Sequence, residues 1–127
     1  MWTGSAILVE AKSHVHEMYG NGCQASPKSR KLIDKALSEV KDFFDIPQET
    51  DWTGPLYQSA NRLAHLYFFR EICRIPAWLA NVYFADDPHS PTSAKTWAKV
   101  LPGVKRELGL GDREAGGLVE VILPSGD

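Results

Sequence analysis

The sequence is poor in cysteine and has no long apolar run. Its 127 residues include only Cys23 and Cys73, whose positions lack the paired spacing of a disulfide framework or a zinc site, so neither is expected. No apolar run approaches the roughly 20 residues of a membrane span. The chain also begins without the basic residues that open a signal peptide. We therefore expect a reduced protein of the cytoplasm.

A strong excess of charge of either sign is also missing. Lys and Arg number 14 against 16 Asp and Glu, which leaves a net charge of −2 at pH 7. The molecule as a whole therefore does not attract nucleic acid, and such binding would need a local basic patch. The hydrophobic content of 43% and the length fit one compact domain over residues 1–127.

What the chain does contain is an alternation of strand-like and helix-like segments. Apolar β-branched runs predict strands, and apolar stripes with helical spacing predict helices. The predicted elements are, in order, a strand at 6–12, a helix at 28–44, a helix at 56–75, a strand at 77–85, a helix that begins at Thr92 or Ser93 and kinks or breaks at Pro102-Gly103, and a strand at 118–123. Helical crossovers between strands favour an α/β fold with three helices and a small mixed or parallel sheet of about three strands. In the second strand, Trp78 and Tyr83 are expected in the core.

The first strand ends in a carboxylate and an amine, Glu10 and Lys12. Residues two apart on a strand project from the same face, roughly 6.6 Å apart along it. Burying two charges at the end of an apolar strand is costly unless they are paired, bound to a metal or facing a cleft. One interpretation is a surface salt bridge or a solvated strand end. The other is that Glu10 binds a divalent cation such as Mg²⁺ while Lys12 stabilises developing negative charge or positions a water molecule.

A polar ridge is predicted along the helix at 56–75. Its members follow the i, i+3, i+4, i+7 spacing opposite the apolar stripe, and they are Gln58, Asn61, Arg62 and His65. Such a ridge is ordinarily the solvent face of an amphipathic helix. This one contains no Lys or Glu, the usual residues of a solvated face, and its side chains can hydrogen-bond phosphates, water or carboxylates. The ridge is therefore a candidate contact surface for a substrate.

A polar loop follows the first strand and carries His14, His16 and Glu17. Imidazoles two residues apart on an extended segment share a face and can bind a metal, although loop histidines are more often only exposed. With Lys12 nearby, the two histidines are also candidate contacts for a phosphate backbone.

The order of strand, Glu-x-Lys, helix and strand, with Gln58 in the helix before the second strand, resembles the PD-(D/E)XK nuclease superfamily, whose fold is restriction-endonuclease-like. The resemblance implies that Glu10 and the Ala11 carbonyl are ligands of Mg²⁺ or Mn²⁺. It implies that Lys12 is the catalytic lysine that helps to activate water, and that Gln58 supports the site. The reaction implied is cleavage of phosphodiester bonds in DNA or RNA.

The chain departs from this family at its beginning. The family core starts with a helix and two strands, and the second of these strands carries a metal-binding Asp. Only nine residues precede Glu10 here, so the resemblance covers the carboxy-terminal part of the family core, without its N-terminal helix and hairpin. The visible substitutes for the missing Asp are Glu17, Asp51 or a carboxylate from a partner chain.

This departure leaves three functions open. The chain is a nuclease-like domain whose metal site lacks the Asp, or a non-catalytic module that binds nucleic acid or protein, or a small α/β interaction protein with an accidental Glu-x-Lys. The missing hairpin also leaves the first strand with an apolar open edge or an uncovered face, which tends to recruit another chain. We therefore expect a homodimer or higher oligomer that covers the exposed first strand.

Overall fold

The computed structural model describes residues 4–89, 91–111 and 116–125. The helices and strands in these ranges are β1 (Ala6–Lys12), α1 (Pro27–Phe43), α2 (Tyr57–Tyr67), β2 (Ala77–Ala85), α3 (Ala94–Glu107) and β3 (Leu118–Pro124). A 3₁₀ turn over Val15–Met18 follows β1, and a π-helical turn over Phe68–Ile72 continues α2. No helix in these ranges is long and apolar enough to cross a membrane.

The strands form one sheet in the order β1-β2-β3, with both neighbouring pairs parallel. The prediction of an α/β fold with three helices and a small sheet of about three strands is therefore confirmed. The register places Glu10 of β1 beside Asn81 of β2, and Asn81 beside Glu120 of β3. In this sheet, β1 and β3 are the edge strands.

The helices cover one face of the sheet. Two of them, α2 and α3, pack against it, and α1 packs on α2. The covered face carries alternate residues of each strand, among them Leu8, Glu10, Lys12, Leu79, Asn81, Tyr83, Leu118, Glu120 and Ile122. The open face carries the residues between them, which are Ile7, Val9, Ala11, Trp78, Ala80, Val82, Phe84, Val119, Val121 and Leu123. Every residue of the open face is therefore apolar.

Two aromatic residues of β2, Trp78 and Tyr83, lie on different faces of the sheet. Tyr83 is buried on the covered face beside Trp97 of α3, with the ring centroids 4.9 Å apart. Trp78 lies on the open face with 42% of its surface exposed, so the prediction that it belongs to the core is wrong. The apolar sequence of β2 shows that both faces prefer burial, but it does not show which face the helices will cover.

Two serines fix where α1 and α3 begin. The Ser26 hydroxyl accepts a hydrogen bond from the Ser29 N–H at 3.4 Å. The Ser93 hydroxyl accepts one from the Thr96 N–H at 3.0 Å. Each cap satisfies a backbone donor that the first turn of a helix leaves unpaired.

The helix α3 continues past Pro102, so of the kink or break predicted at Pro102-Gly103, the break is wrong. A proline inside a helix leaves the carbonyl four residues earlier without its usual N–H partner. That carbonyl belongs to Ala98, which is exposed like Pro102, so water can satisfy it. The helix therefore reaches Glu107 and brings Lys105 to the sheet.

Candidate functional site

A narrow cleft lies between the covered face of the sheet and the helices above it. Its polar lining consists of Glu10 and Lys12 from β1, Gln58, Ser59 and Arg62 from α2, Asn81 and Tyr83 from β2, Lys105 from α3 and Glu120 from β3. The free volume of the cleft is about 30 Å³, which is room for about two water molecules. The three residues that the family resemblance assigns to catalysis, Glu10, Lys12 and Gln58, therefore line one cleft.

Glu10 is held between two cations. Its Oε1 accepts a hydrogen bond from Lys12 Nζ at 3.2 Å, and its Oε2 accepts one from Arg62 Nε at 2.9 Å. Lys12 is only 8% exposed, so it needs an anionic partner inside the fold, and Glu10 supplies one. The structure therefore contains the expected salt bridge between Glu10 and Lys12, but its lysine is buried and not solvated.

The pKa of Glu10 lies below its ordinary value. Partial burial raises the pKa of this carboxyl, but the hydrogen bonds and positive charges of Arg62 and Lys12 together lower it by more. Glu10 is therefore an anion at neutral pH. A carboxylate has about four lone-pair positions, so a metal ion that binds Glu10 must share its oxygens with Lys12 and Arg62.

Sequence reasoning missed two polar residues that lie in the same row of the sheet as Glu10. Asn81 is beside Glu10, and Glu120 is beside Asn81. Glu120 Oε2 accepts a hydrogen bond from the Tyr83 hydroxyl at 2.8 Å. Burial first, and then the negative charges of Glu120 and Glu10, raise the pKa of Tyr83, so its hydroxyl stays a neutral donor. The signal that could have found Asn81 and Glu120 is that each interrupts an otherwise apolar strand.

A wider groove opens beside the cleft, with a volume of about 390 Å³. It is lined by Tyr57, Gln58, Asn61 and Arg62 around the first turns of α2, and by Gly20, Asn21, Gly22, Gln24 and Pro55 from the adjoining loops. Gln58 and Arg62 line both the cleft and the groove. Three residues of the predicted ridge therefore lie together at these two spaces, whereas His65 is exposed and lines neither.

The two histidines after β1 lie outside the lining of the cleft and the groove. The rings of His14 and His16 stack on each other with their centroids 3.6 Å apart. His14 Nε2 lies 3.5 Å from Glu17 Oε1. These side chains therefore contact one another and their own turn, and their predicted contact with a substrate stays a prediction.

The two carboxylates considered as substitutes for the missing Asp are engaged with backbone. Glu17 Oε2 accepts a hydrogen bond from the Ser13 N–H at 2.7 Å. Asp51 Oδ1 accepts bonds from the N–H groups two and three residues later, at 3.1 and 2.9 Å. Neither residue lines the cleft, so the structure does not bring either of them to Glu10.

Few oxygen donors are available to a divalent cation. No group of three or more His, Cys, Asp and Glu side chains that could hold a metal ion occurs in the described part of the chain. The two donors that the family resemblance assigns are the Glu10 carboxylate and the Ala11 carbonyl. The Ala6 N–H bonds to the Pro76 carbonyl, and backbone groups alternate along a strand, so the Ala11 carbonyl points to the free edge of β1. Both donors suit Mg²⁺, which is commonly bound by one or two carboxylates and completed by water and phosphate.

Comparison with known proteins provides no relative for this site. The chain matches no family model, no curated protein and no solved structure. The assignment of function therefore depends on the cleft and on the groove beside it.

Proposed function

We propose that the chain is a nuclease-like domain that binds DNA or RNA and cleaves phosphodiester bonds with Mg²⁺ or Mn²⁺. The observation that carries this proposal is the meeting of Glu10, Lys12 and Gln58 in one cleft. Glu10 and Lys12 come from β1, whereas Gln58 comes from α2, so their proximity is a property of the fold and not of the sequence spacing.

The cleft carries more positive than negative groups, although the whole chain is slightly acidic. Its cations are Lys12, Arg62 and Lys105, and its carboxylates are Glu10 and Glu120. Arg and Lys head groups form charge-assisted hydrogen bonds with phosphate oxygens. The cleft is too small for a nucleotide, so the sugar and base are expected in the adjoining groove, where Asn and Gln side chains can hydrogen-bond base edges.

The proposed metal ligands are Glu10 and the Ala11 carbonyl at the free edge of β1. A bound Mg²⁺ supplies polarisation of the phosphate and a more acidic water molecule. Lys12 keeps Glu10 ionised and places an ammonium group beside it, where it stabilises negative charge that develops on the phosphate. Arg62 holds Glu10 from the opposite side and fixes its orientation.

A non-catalytic binding module is the second candidate, and one observation favours it. Both oxygens of Glu10 are already hydrogen-bonded, to Lys12 and to Arg62, so the three side chains satisfy one another without a metal ion. In that case the cations of the cleft bind nucleic-acid phosphates and no cleavage follows. The two candidate functions therefore differ in whether a divalent cation binds to Glu10. For both, the cytoplasmic location stays a prediction.

Calorimetric titration with Mg²⁺ and Mn²⁺ separates these two candidates. The nuclease-like function predicts a heat of binding that the wild type shows and Glu10→Gln lacks. The matched control is Glu39→Gln, which removes an exposed carboxylate of α1 and should bind metal like the wild type. Absence of metal-dependent heat in the wild type, with and without a nuclease-resistant oligonucleotide, would defeat the catalytic proposal and leave the binding module.

Fluorescence anisotropy with labelled single- and double-stranded DNA and RNA tests nucleic-acid binding, which both candidate functions require. Arg62→Met should weaken binding about tenfold, because one charge-assisted hydrogen bond contributes roughly 1.5 kcal/mol. Lys28→Met, which removes an exposed cation of α1, should change it little. If the wild type binds none of the oligonucleotides, both candidates are wrong and a small interaction protein remains.

A further inference from the structure

The open face of the sheet is a large apolar surface without a cover in the described structure. Parallel sheets ordinarily have both faces covered, because their strands are apolar on both sides. Here Ile7 is 67% exposed, Val9 64%, Val119 44%, and Trp78 and Leu123 42% each. These side chains come from all three strands, so the exposed surface is continuous across the sheet.

We propose that a second copy of this chain covers the open face, so that two sheets stack face to face across a two-fold axis. Apart from the indole N–H of Trp78, the open face has no charged or hydrogen-bonding side-chain group. It can therefore pack against an identical face while leaving at most one side-chain donor per copy to be satisfied, which suits the self-complementary patch of an isologous interface. The net charge of −2 per copy opposes such a pairing only weakly.

The area of the open face is sufficient for a dimer. Its residues expose on the order of 600 Å² per copy, so two stacked copies would bury at most about 1,200 Å². Specific interfaces bury about 1,200 to 2,000 Å² in total. The proposed interface lies at the lower end of this range, and its dissociation should therefore be measurable at micromolar concentrations.

No remaining segment of the printed sequence is long enough to take the place of the second copy. The stretches outside the described ranges contain at most four consecutive residues, at 112–115. Four residues span about 14 Å when fully extended, and a single strand of that length would cover one strand of the three.

The proposed dimer is independent of the proposed function. Glu10 and Lys12 project from the covered face, and Ile7 and Val9 project from the opposite one. Stacking of the open faces therefore places the two clefts on opposite sides of the paired sheets. The interface also differs from pairing of two β1 edges, which would leave β3 far from the contact.

Sedimentation velocity of the full chain, between about 1 and 100 µM, tests the proposal through three single substitutions. Ile7→Lys on β1 and Val119→Lys on β3 each place a charge in the interface, and each should raise the dissociation constant at least tenfold. Leu32→Lys is the matched control, because Leu32 is 69% exposed on α1 and lies away from the sheet. The control should sediment as the wild-type dimer.

Three results would overturn the proposal. They are a monomer at every wild-type concentration, a dimer that Ile7→Lys weakens but Val119→Lys does not, and a dimer that Leu32→Lys weakens as much as the other two. The second result would place the contact at the β1 edge. Circular dichroism shows whether each variant is folded.

Discussion

The two faces of the sheet are built from the same three strands, but only the covered face carries charged residues. The covered face, which packs against helices, carries Glu10, Lys12, Asn81 and Glu120. The open face, which is exposed, carries only apolar residues. In an isolated globular domain the opposite distribution is expected. This difference fits the two proposals, a polar site on the covered face and an interface between two copies on the open face.

The polar residues of the covered face are tolerated because they satisfy one another. Lys12 and Arg62 pair with Glu10, and the Tyr83 hydroxyl pairs with Glu120. Burial of such groups without partners would cost several kcal/mol each. No arrangement of that kind is needed on the open face, where the indole N–H of Trp78 is the single polar side-chain group. The two faces therefore respond differently to substitution, and the following experiments measure that difference.

Truncation of a leucine on each face should give the largest contrast. Leu79 is 1% exposed on the covered face, and Leu123 is 42% exposed on the open face. Leu79→Ala should lower the free energy of unfolding by about 2–5 kcal/mol, through lost burial and a cavity. Leu123→Ala should lower it by less than about 1 kcal/mol. Urea unfolding in an Ile7→Lys background excludes the contribution of association, and equal losses would show that the open face is covered within the monomer.

Removal of the carboxylate that pairs with a buried lysine should have the next largest effect. Glu10→Gln leaves Lys12 buried without an anion and should cost about 1–3 kcal/mol of unfolding free energy. The control is Asp34→Asn, because the Arg30–Asp34 pair has a similar distance of 3.2 Å but exposed side chains, and its loss should cost at most about 1 kcal/mol.

A second substitution checks the cause of this loss. The double variant Glu10→Gln/Lys12→Met should regain part of the lost stability, because the buried charge is then removed as well. If the double variant is less stable than Glu10→Gln alone, the buried ammonium is not what destabilises the single variant.

Loss of the Tyr83 hydroxyl should cost about 1 kcal/mol at neutral pH, the net contribution of one hydrogen bond. Burial, with help from Glu120 and Glu10, raises the pKa of Tyr83 in the folded state. Its contribution to stability is therefore complete below the ordinary tyrosine pKa of about 10 and decreases as the pH rises above it. Unfolding of wild type and Tyr83→Phe at pH 8 and pH 11 should show the wild type losing more stability, and equal losses would contradict this assignment.

The pH dependence of the Glu10 pair should be the smallest of these effects, because Glu10 is only partly buried. Its pKa is lowered from 4.5 in the folded state, so its contribution to stability is present above pH 4.5 and is lost as the pH falls. The difference in stability between wild type and Glu10→Gln should therefore decrease between pH 6 and pH 3. A difference that stays constant over this range would mean that protonation of Glu10 does not break the pair.

Local patterns were sufficient to predict the strands and the shared face of Glu10 and Lys12. The limits of β1 and β2 agree with the predicted 6–12 and 77–85, because each is an apolar run between polar or proline-containing segments. The exposure of Trp78 and the continuation of α3 past Pro102 were not predictable in this way. Both depend on which surfaces other elements cover, and this is decided by tertiary packing.

The candidate site was predictable only in part for the same reason. The spacing of Glu10 and Lys12 and the missing Lys and Glu on the ridge of α2 were visible in the sequence. The contact of Arg62 with Glu10 joins residues far apart in the chain, so it requires the crossover between β1 and β2. Glu120 lies in the site because the register of β3 places it beside Asn81. No local sequence pattern specifies this register.

The measurement that tests the proposed function most directly is cleavage of a supercoiled plasmid and of a single-stranded RNA in Mg²⁺ or Mn²⁺. The wild type should cleave at least one of these substrates in the presence of the metal and neither in the presence of EDTA. Glu10→Gln and Lys12→Met should reduce the rate at least about 100-fold, and Glu39→Gln should not change it. No cleavage of either substrate by the wild type, or cleavage that Glu10→Gln retains, would contradict the proposal.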